Sequence, residues 1–265
     1  MTRIHPTAII AAGAELDPDV TVEPYALIGS KVRIAGGTRI GGHTVIDGRT
    51  TIGRDNQIFH HASIGAVPQD LKYHGEDSEL ILGDGNRIRE FATLHLGTEG
   101  GGMKTVLGSH NLVMAYAHVA HDCILGDHNI LANGAQLGGH VTLNNHIRVG
   151  ALVGIHQFVR VGDGAIIGAG SMVTQDVPPW CNATGDRANL FGLNVEGLHR
   201  LGFTADGISE LKRAYRLMFR SGLTVAVAAA RIREELSGSE AVERFVVFVE
   251  SSQRGVCRER DRAAE

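Results

Sequence analysis

An aliphatic residue returns at every sixth position along most of this 265-residue chain. The series runs from Ile4 through Ile10, Leu16, Val22 and Ile28 to Ile64. It resumes at Leu82, Ile88 and Leu94, then holds without a miss from Leu107 to Val173. Six is not a helical period, and the glycines that often follow the anchor, such as Gly29, Gly41, Gly126 and Gly162, would melt a helix. A strand of two or three residues, a corner and another strand do give six. Each strand then points one aliphatic side chain inward, and Gly, Asn or Asp serve the corners because they tolerate positive φ. Four residues past the anchor the side chain is usually small or β-branched, as at Ala8, Val20, Ala26, Thr38 and Ala117. Stacked at the ~4.8 Å strand spacing, such coils form a solenoid around a column of Ile, Leu and Val. Composition agrees. Gly, at 35 residues, is about twice its ordinary ~7%, and aromatics are only 5%, as a narrow aliphatic bore requires.

Several classes are excluded or disfavoured. A net charge of −4 and a pI near 6.4 argue against a dedicated nucleic-acid binder. Cys123, Cys181 and Cys257 are scattered and lack metal spacing, which fits a reducing compartment. No signal peptide precedes Ile4, and no apolar run approaches the ~20 residues of a membrane span. The expectation is a soluble cytoplasmic protein with no transmembrane segment, cofactor or metal.

The repeat predicts a solenoid over residues 1–185 and a helical region over 186–265, divided after Val177-Pro178-Pro179-Trp180. Two segments leave the phase, 67–79 and 97–105. The chemically varied Gln69–Tyr73 stretch suggests a functional loop, and the Gly100–Gly102 run a mobile one. Thr204, Thr224 and Ser239 can cap helices over Ala205–Arg220, Val225–Leu236 and Glu240–Ser252, while the tail Arg254–Glu265 reads as frayed.

The repeat resembles that of the hexapeptide-repeat acyltransferases, which fold as a left-handed parallel β-helix with three strands and eighteen residues per coil. Wrapped at that interval, His121 stacks on Gly139 and then Gln157. Asp122, His140 and Phe158 form the adjacent column, with His118 and His156 beside them. Acyl transfer to a hydroxyl needs a base near neutral pH, an oxyanion donor and a group that holds the base's tautomer. Histidine, the approachable N–H of a glycine and a neighbouring carboxylate supply these. There is no Gly-x-Ser-x-Gly elbow, and Cys123 sits at an inward position, so direct transfer without a covalent enzyme intermediate is expected.

Local strings narrow the resemblance. Ala117-His118-Val119-Ala120-His121-Asp122-Cys123, Gly138-Gly139-His140-Val141, Val153-Gly154-Ile155-His156-Gln157-Phe158, Gln69-Asp70-Leu71-Lys72-Tyr73 and Asn194-Val195-Glu196-Gly197-Leu198 together look like the acyl-ACP:UDP-N-acetylglucosamine O-acyltransferase family. These enzymes open lipid A biosynthesis. The resemblance implies that His121 is the general base for the sugar 3-hydroxyl, Asp122 its orienter and Gly139 N–H the oxyanion donor toward an (R)-3-hydroxyacyl thioester. His118, His140, His156 and Gln157 would position sugar and acyl portions. Asp70, Lys72 and His95 would contact sugar and phosphates across the subunit boundary of a homotrimer. Asn194, Glu196 and Arg200 would hold the uridine diphosphate, and Ala169 would stand at the acyl-length position. Lys212, Arg213, Arg216 and Arg220 share one helix face by their spacing and would dock the acidic acyl carrier protein. The family carries arginine where this chain has Leu96 and Leu201.

Three alternatives stay open on the sequence. One is a sugar-nucleotide N-acyltransferase acting on an amino sugar, such as a 3-amino analogue. A second is a zinc carbonic anhydrase of the same fold, with His118, His121 and His140 as ligands. The third is a structural scaffold, which needs no aligned histidines.

Overall fold

The computed structural model of the chain describes residues 3–259. Residues Arg3–Val173 wind into a parallel β-helix of triangular section, built almost entirely from two-residue strands. The first face stacks eleven strands from Arg3–Ile4 to the terminal pair Cys181–Thr184 and Asn189–Leu193. The second stacks nine, from Ile9–Ile10 to Met172–Val173, and the third eight, from Glu15–Leu16 to Arg160–Val161. All pairings within the coils are parallel, and most join residues eighteen apart, such as Leu27↔Val45 and Thr142↔Arg160. The sixfold anchors are the core: Ile28, Ile40, Ile46, Ile88, Leu94 and Val113 have no measurable exposure.

Inward corner positions carry small or hydrogen-bonded side chains. Thr38 and Thr44 donate their hydroxyls to the carbonyls of Gly53 and Phe59. At the corner between the third and first faces, four asparagines form a buried ladder. Asn56 Oδ1 accepts from Asn86 N, Asn86 Oδ1 from Asn111 N, and Asn111 Oδ1 from Asn129 N; Asn129 Oδ1 then accepts from Ile147 N. Each amide so replaces a turn hydrogen bond that the corner backbone cannot supply to itself.

Both departures from phase emerge at one corner, between the second and third faces. Ile52 pairs with Leu82, thirty residues on rather than eighteen, and Leu82 with Leu107, twenty-five on. The extra residues lie between Ser63–Ala66 and Glu79–Leu82, and between Thr93–His95 and Lys104–Leu107. The second insert is tighter than a mobile glycine run: Glu99–Gly101 forms a 3-10 turn.

The solenoid ends in the antiparallel hairpin Cys181–Thr184 / Asn189–Leu193, so the boundary expected at 185 falls in its turn. Four helices follow: α1 (Val195–Arg200), α2 (Ala205–Arg220), α3 (Val225–Glu235) and α4 (Glu240–Glu250). Thr204 and Thr224 cap α2 and α3 by accepting from Gly207 N and Val227 N, whereas Ser239 makes no side-chain cap bond. The six-residue α1 was not expected. Its period is too short to read, and its signal was the cap residue Asn194, whose side chain accepts from Gly197 N.

The tail corrects a second expectation. Arg254–Glu259 is not frayed: Val256 and Cys257 are buried, and Asp176 donates its backbone N–H to Gly255 O and accepts from Cys257 N. Glu259 receives bonds from Tyr215 and Arg220 of α2. The rest of the expected frayed tail, 260–265, lies outside the described residues.

Candidate active site

The corner that carries both inserts also carries the histidines. Coil stacking sets His121, Gly139 and Gln157 in one column, and Asp122, His140 and Phe158 in the next. The latter three share left-handed φ values of 60°, 62° and 65°. Non-glycine residues pay for that conformation, and here it turns the three side chains along one edge. His140 stacks on Phe158 with ring centroids 4.3 Å apart and meets His121 edge-on at 5.1 Å.

Asp122 is buried and fully employed. Its Oδ1 accepts from Thr98 N at 2.8 Å, and its Oδ2 from Thr98 Oγ1 at 2.6 Å and His121 Nδ1 at 2.7 Å. The carboxylate has no proton to give, so His121 Nδ1 carries one and Nε2 presents its lone pair. Thr105 Oγ1 accepts the Asp122 backbone N–H. The 3-10 turn closes over the carboxylate so tightly that a Cβ on Gly101 would lie 1.9 Å from Asp122 Cγ. Thr98, Thr105 and Gly101 were not foreseen, because only the fold brings the second insert onto Asp122.

Gly139 lies under the imidazole. A Cβ there would sit 2.5 Å from His121 Cε1 and 2.6 Å from Nε2, so any side chain would displace the ring. Gly139 is buried, yet among the described residues its N–H has no acceptor. Unpaired N–H groups at buried residues are rare, and this one belongs to a residue packed against the His121 ring. Both line a groove of about 450 Å³ with His118, Gln136, His156 and Gln157.

Around this pair burial favours the neutral form of His95, His118 and His140. His95 is buried with Nδ1 unpartnered, and desolvation, helped by His118 and His121, lowers its pKa to about 4. Desolvation also lowers His118, whose Nδ1 meets Thr93 Oγ1 at 2.7 Å. It lowers His140 too, outweighing the opposing pull of Asp122. Burial pushes the Cys123 thiol up to about 12, which leaves it inert as a nucleophile.

The remaining expected residues divide by corner. The loop from the first insert reaches the groove of its own chain: Gln69 lines it. The Lys72 backbone N–H, which donates to its carboxylate, holds the Asp70 carboxyl below its ordinary pKa. Asn194 stands at the third-to-first corner. Its amide is committed to Gly164 O and Gly197 N, and Glu196 and Arg200 are exposed on α1 above it. Ala169 is exposed at the first-to-second corner and does not line the groove. Of the four cations on α2, Arg213 pairs with Glu235 and Arg220 with Glu259, whereas Lys212 and Arg216 have no ion-pair partner among the described residues. Leu96, where an arginine was expected, is core: its Cδ1 lies 2.7 Å from the position of a Cβ on Gly48. An unforeseen cation, Arg254, comes from the ordered tail and reaches His156 Nδ1 at 3.2 Å and Thr174 O.

Among the described residues, His118, His121 and His140 do not converge as a three-histidine metal site. Ligand atoms of His121, Asp122 and His140 lie within 4.8 Å of one another, and His118 is not in that group.

Relatives sharpen the picture. The family model described as bacterial transferase hexapeptide (six repeats) matches residues 104–139, and that described as UDP N-acetylglucosamine O-acyltransferase, domain 2, matches 176–257. Acyl-[acyl-carrier-protein]–UDP-N-acetylglucosamine O-acyltransferase of Sulfurovum sp. (strain NBC37-1) is 53% identical over 256 residues, 97% of this chain and 98% of that protein. The enzyme of the same name from Paraburkholderia phymatum is 49% identical over 262 residues, 97% of this chain and all of that one. The chain belongs to the acyl-ACP–UDP-N-acetylglucosamine O-acyltransferase family. The solved LpxA structure from Acinetobacter baumannii matches with a TM-score of 0.94 at 44% identity, over 96% of this chain and 99% of that one. The acyltransferase from Arabidopsis matches at 0.86 and 35% identity, over 96% of this chain and 100% of that one. The solenoid is therefore the left-handed β-helix of this family, against the usual right-handed crossover of parallel strands.

Proposed function

We propose that the chain transfers an (R)-3-hydroxyacyl group from acyl carrier protein to the 3-hydroxyl of UDP-N-acetylglucosamine, the first acylation of lipid A biosynthesis. The observation that carries this reading is the packing of Gly139, whose N–H has no acceptor among the described residues, against the Nε2 edge of the His121 ring. His121 Nε2 takes the proton of the sugar hydroxyl as its oxygen attacks the thioester carbonyl. Gly139 N–H receives the oxyanion, and the Asp122 carboxylate stabilises the imidazolium. Collapse breaks the C–S bond, and the imidazolium returns its proton to the departing thiolate. Direct attack fits the inert Cys123.

His118, His140, His156 and Gln157 position sugar and acyl portions along the groove. Asp70 and Lys72 meet the sugar and phosphates, with His95 packed behind His118. Glu196 and Arg200 meet the uridine diphosphate, and Asn194 positions α1 for them. Residues of one site thus start from separate corners of a triangular prism, which a neighbouring copy can bring together. This supports a homotrimer with sites between subunits. Lys212 and Arg216 on α2 are the cations left to receive the acidic carrier. No described helix is long and apolar enough to cross a membrane, which accords with a cytoplasmic enzyme supplied by carrier-borne donors. The deciding assay pairs UDP-N-acetylglucosamine with a series of 3-hydroxyacyl carriers. Transfer to the sugar 3-oxygen is expected, and absence of transfer from every donor overturns the reading.

A further inference from the structure

Two histidines line the same groove with partners of opposite charge. His121 meets the Asp122 carboxylate through Nδ1 and so presents the Nε2 lone pair. His156 also engages through Nδ1, but the group it meets is a guanidinium: Arg254 Nη2 lies 3.2 Å away. The backbone carbonyl of Gln157 lies 3.1 Å from the same nitrogen. These two neighbours make contrary demands. A guanidinium only donates and keeps its protons at any ordinary pH, whereas a carbonyl only accepts. In a neutral ring, Nδ1 can satisfy one of them and not the other.

We propose that Arg254 is a positioning residue that fixes the tautomer of His156, and so decides whether that ring offers substrate a donor or an acceptor. The charge-assisted bond is the stronger of the two. Nδ1 therefore keeps its lone pair toward Arg254, and the ring proton sits on Nε2. Nε2 makes no hydrogen bond among the described residues, and His156 is exposed along the groove. It offers an N–H to a hydroxyl or carbonyl oxygen of the bound substrates, beside a His121 that offers a lone pair. One groove thus holds an acceptor imidazole and a donor imidazole, told apart by the charge behind each. The guanidinium is anchored at its other edge. Arg254 Nε and Nη2 both donate to Thr174 O, at 3.3 and 3.2 Å, and Thr174 itself lines the groove. The next residue, Gly255, takes a φ of 74° and accepts from Asp176 N, while Cys257 N donates to Asp176 O. The C-terminal segment thereby reaches the site through one side chain. What His156 donates to rests on the acyl-transfer reading above; its tautomer does not.

The test uses the full-length enzyme labelled with 15N-histidine, at a mildly alkaline pH where an ordinary imidazole is neutral. The His156 signals are assigned by their loss in His156→Gln. The wild type should show a protonated Nε2 and an unprotonated Nδ1, and Arg254→Met should move the proton toward Nδ1. Arg254→Lys, which keeps a donor, should hold the wild-type pattern. In the transfer assay Arg254→Met should lower kcat/KM by about tenfold, the scale of one hydrogen bond turned from favourable to unfavourable, and Arg254→Lys should recover most of it. On a His156→Gln background the amide N–H stands where Nε2–H stood and has no tautomer to choose, so Arg254→Met should cost about twofold or less there. A tenfold loss on that background would make Arg254 merely structural and overturn the proposal. So would identical ring-nitrogen patterns in wild type and Arg254→Met. The spectra need no substrate, so they decide the tautomer even if the wild type transfers nothing and the acyl-transfer reading falls.

Discussion

Gly139 and His121 cannot be varied independently, because the space a side chain would need is the imidazole itself. Gly139→Ala should therefore misplace the base and crowd the oxyanion donor in one step, lowering kcat/KM by about a hundredfold or more with little change in melting temperature. His121→Ala should remove about 10²–10⁴ of the rate and leave binding of the sugar nucleotide nearly unchanged, as separate kcat and KM measurements would resolve. A second residue-scale outcome concerns stability. The folded pKa of His95 is depressed to about 4, and those of His118 and His140 move the same way. Below an unfolded value of about 6.5 the unfolded chain binds more protons, so stability is full above that pH and declines as pH falls toward 4. Urea midpoints should drop across that window, and His95→Gln should shrink the drop. At this scale the sequence was partly legible. The pairing of His121 with Asp122 and its column with Gly139 followed from the repeat, because stacking interval alone fixes them. Thr98 and Gly101 did not, since their approach to Asp122 depends on how an insert folds.

Elements differ in how openly they declare themselves. The solenoid strands were plain because each buries one aliphatic residue at a constant interval. The asparagine ladder was hidden in the same pattern, as each side-chain oxygen accepts from the backbone of the next coil. Asn111→Ala removes a side chain that accepts from Asn129 N and donates to Asn86 Oδ1, leaving buried groups unpaired. It should cost about 1–3 kcal/mol in urea unfolding. On α2, spacing grouped four cations on one face but could not reveal that Glu235 of α3 and Glu259 of the tail neutralise two of them. Arg216→Glu should accordingly raise the KM for carrier-borne donor with kcat retained. Arg213→Ala, already paired, should leave that KM near its original value.

The whole molecule is closed at its C-terminal end by segments far apart in sequence. The tail binds Asp176, Leu190 and α2, so ending the chain after residue 253 should lower the melting temperature and release the Arg254 contact with His156. In solution, light scattering should report three times the 28.2 kDa chain mass; a monodisperse single-chain mass would defeat the trimer. The sequence did not show the tail's part in that closure, because a short tail with no period of its own takes its order from what it covers. The coil length has one more consequence. With partners eighteen residues apart, the prism has a reading frame. Excising eighteen residues from an early coil would splice face to face and corner to corner, leaving the site untouched. Excising residues 123–140 would splice equally well, yet it would set Val141 after Asp122 and delete Gly139 and His140. Removing one residue there would turn every later aliphatic outward. Architecture and chemistry here obey different arithmetic: the fold counts modulo a coil, and the site counts from one particular corner.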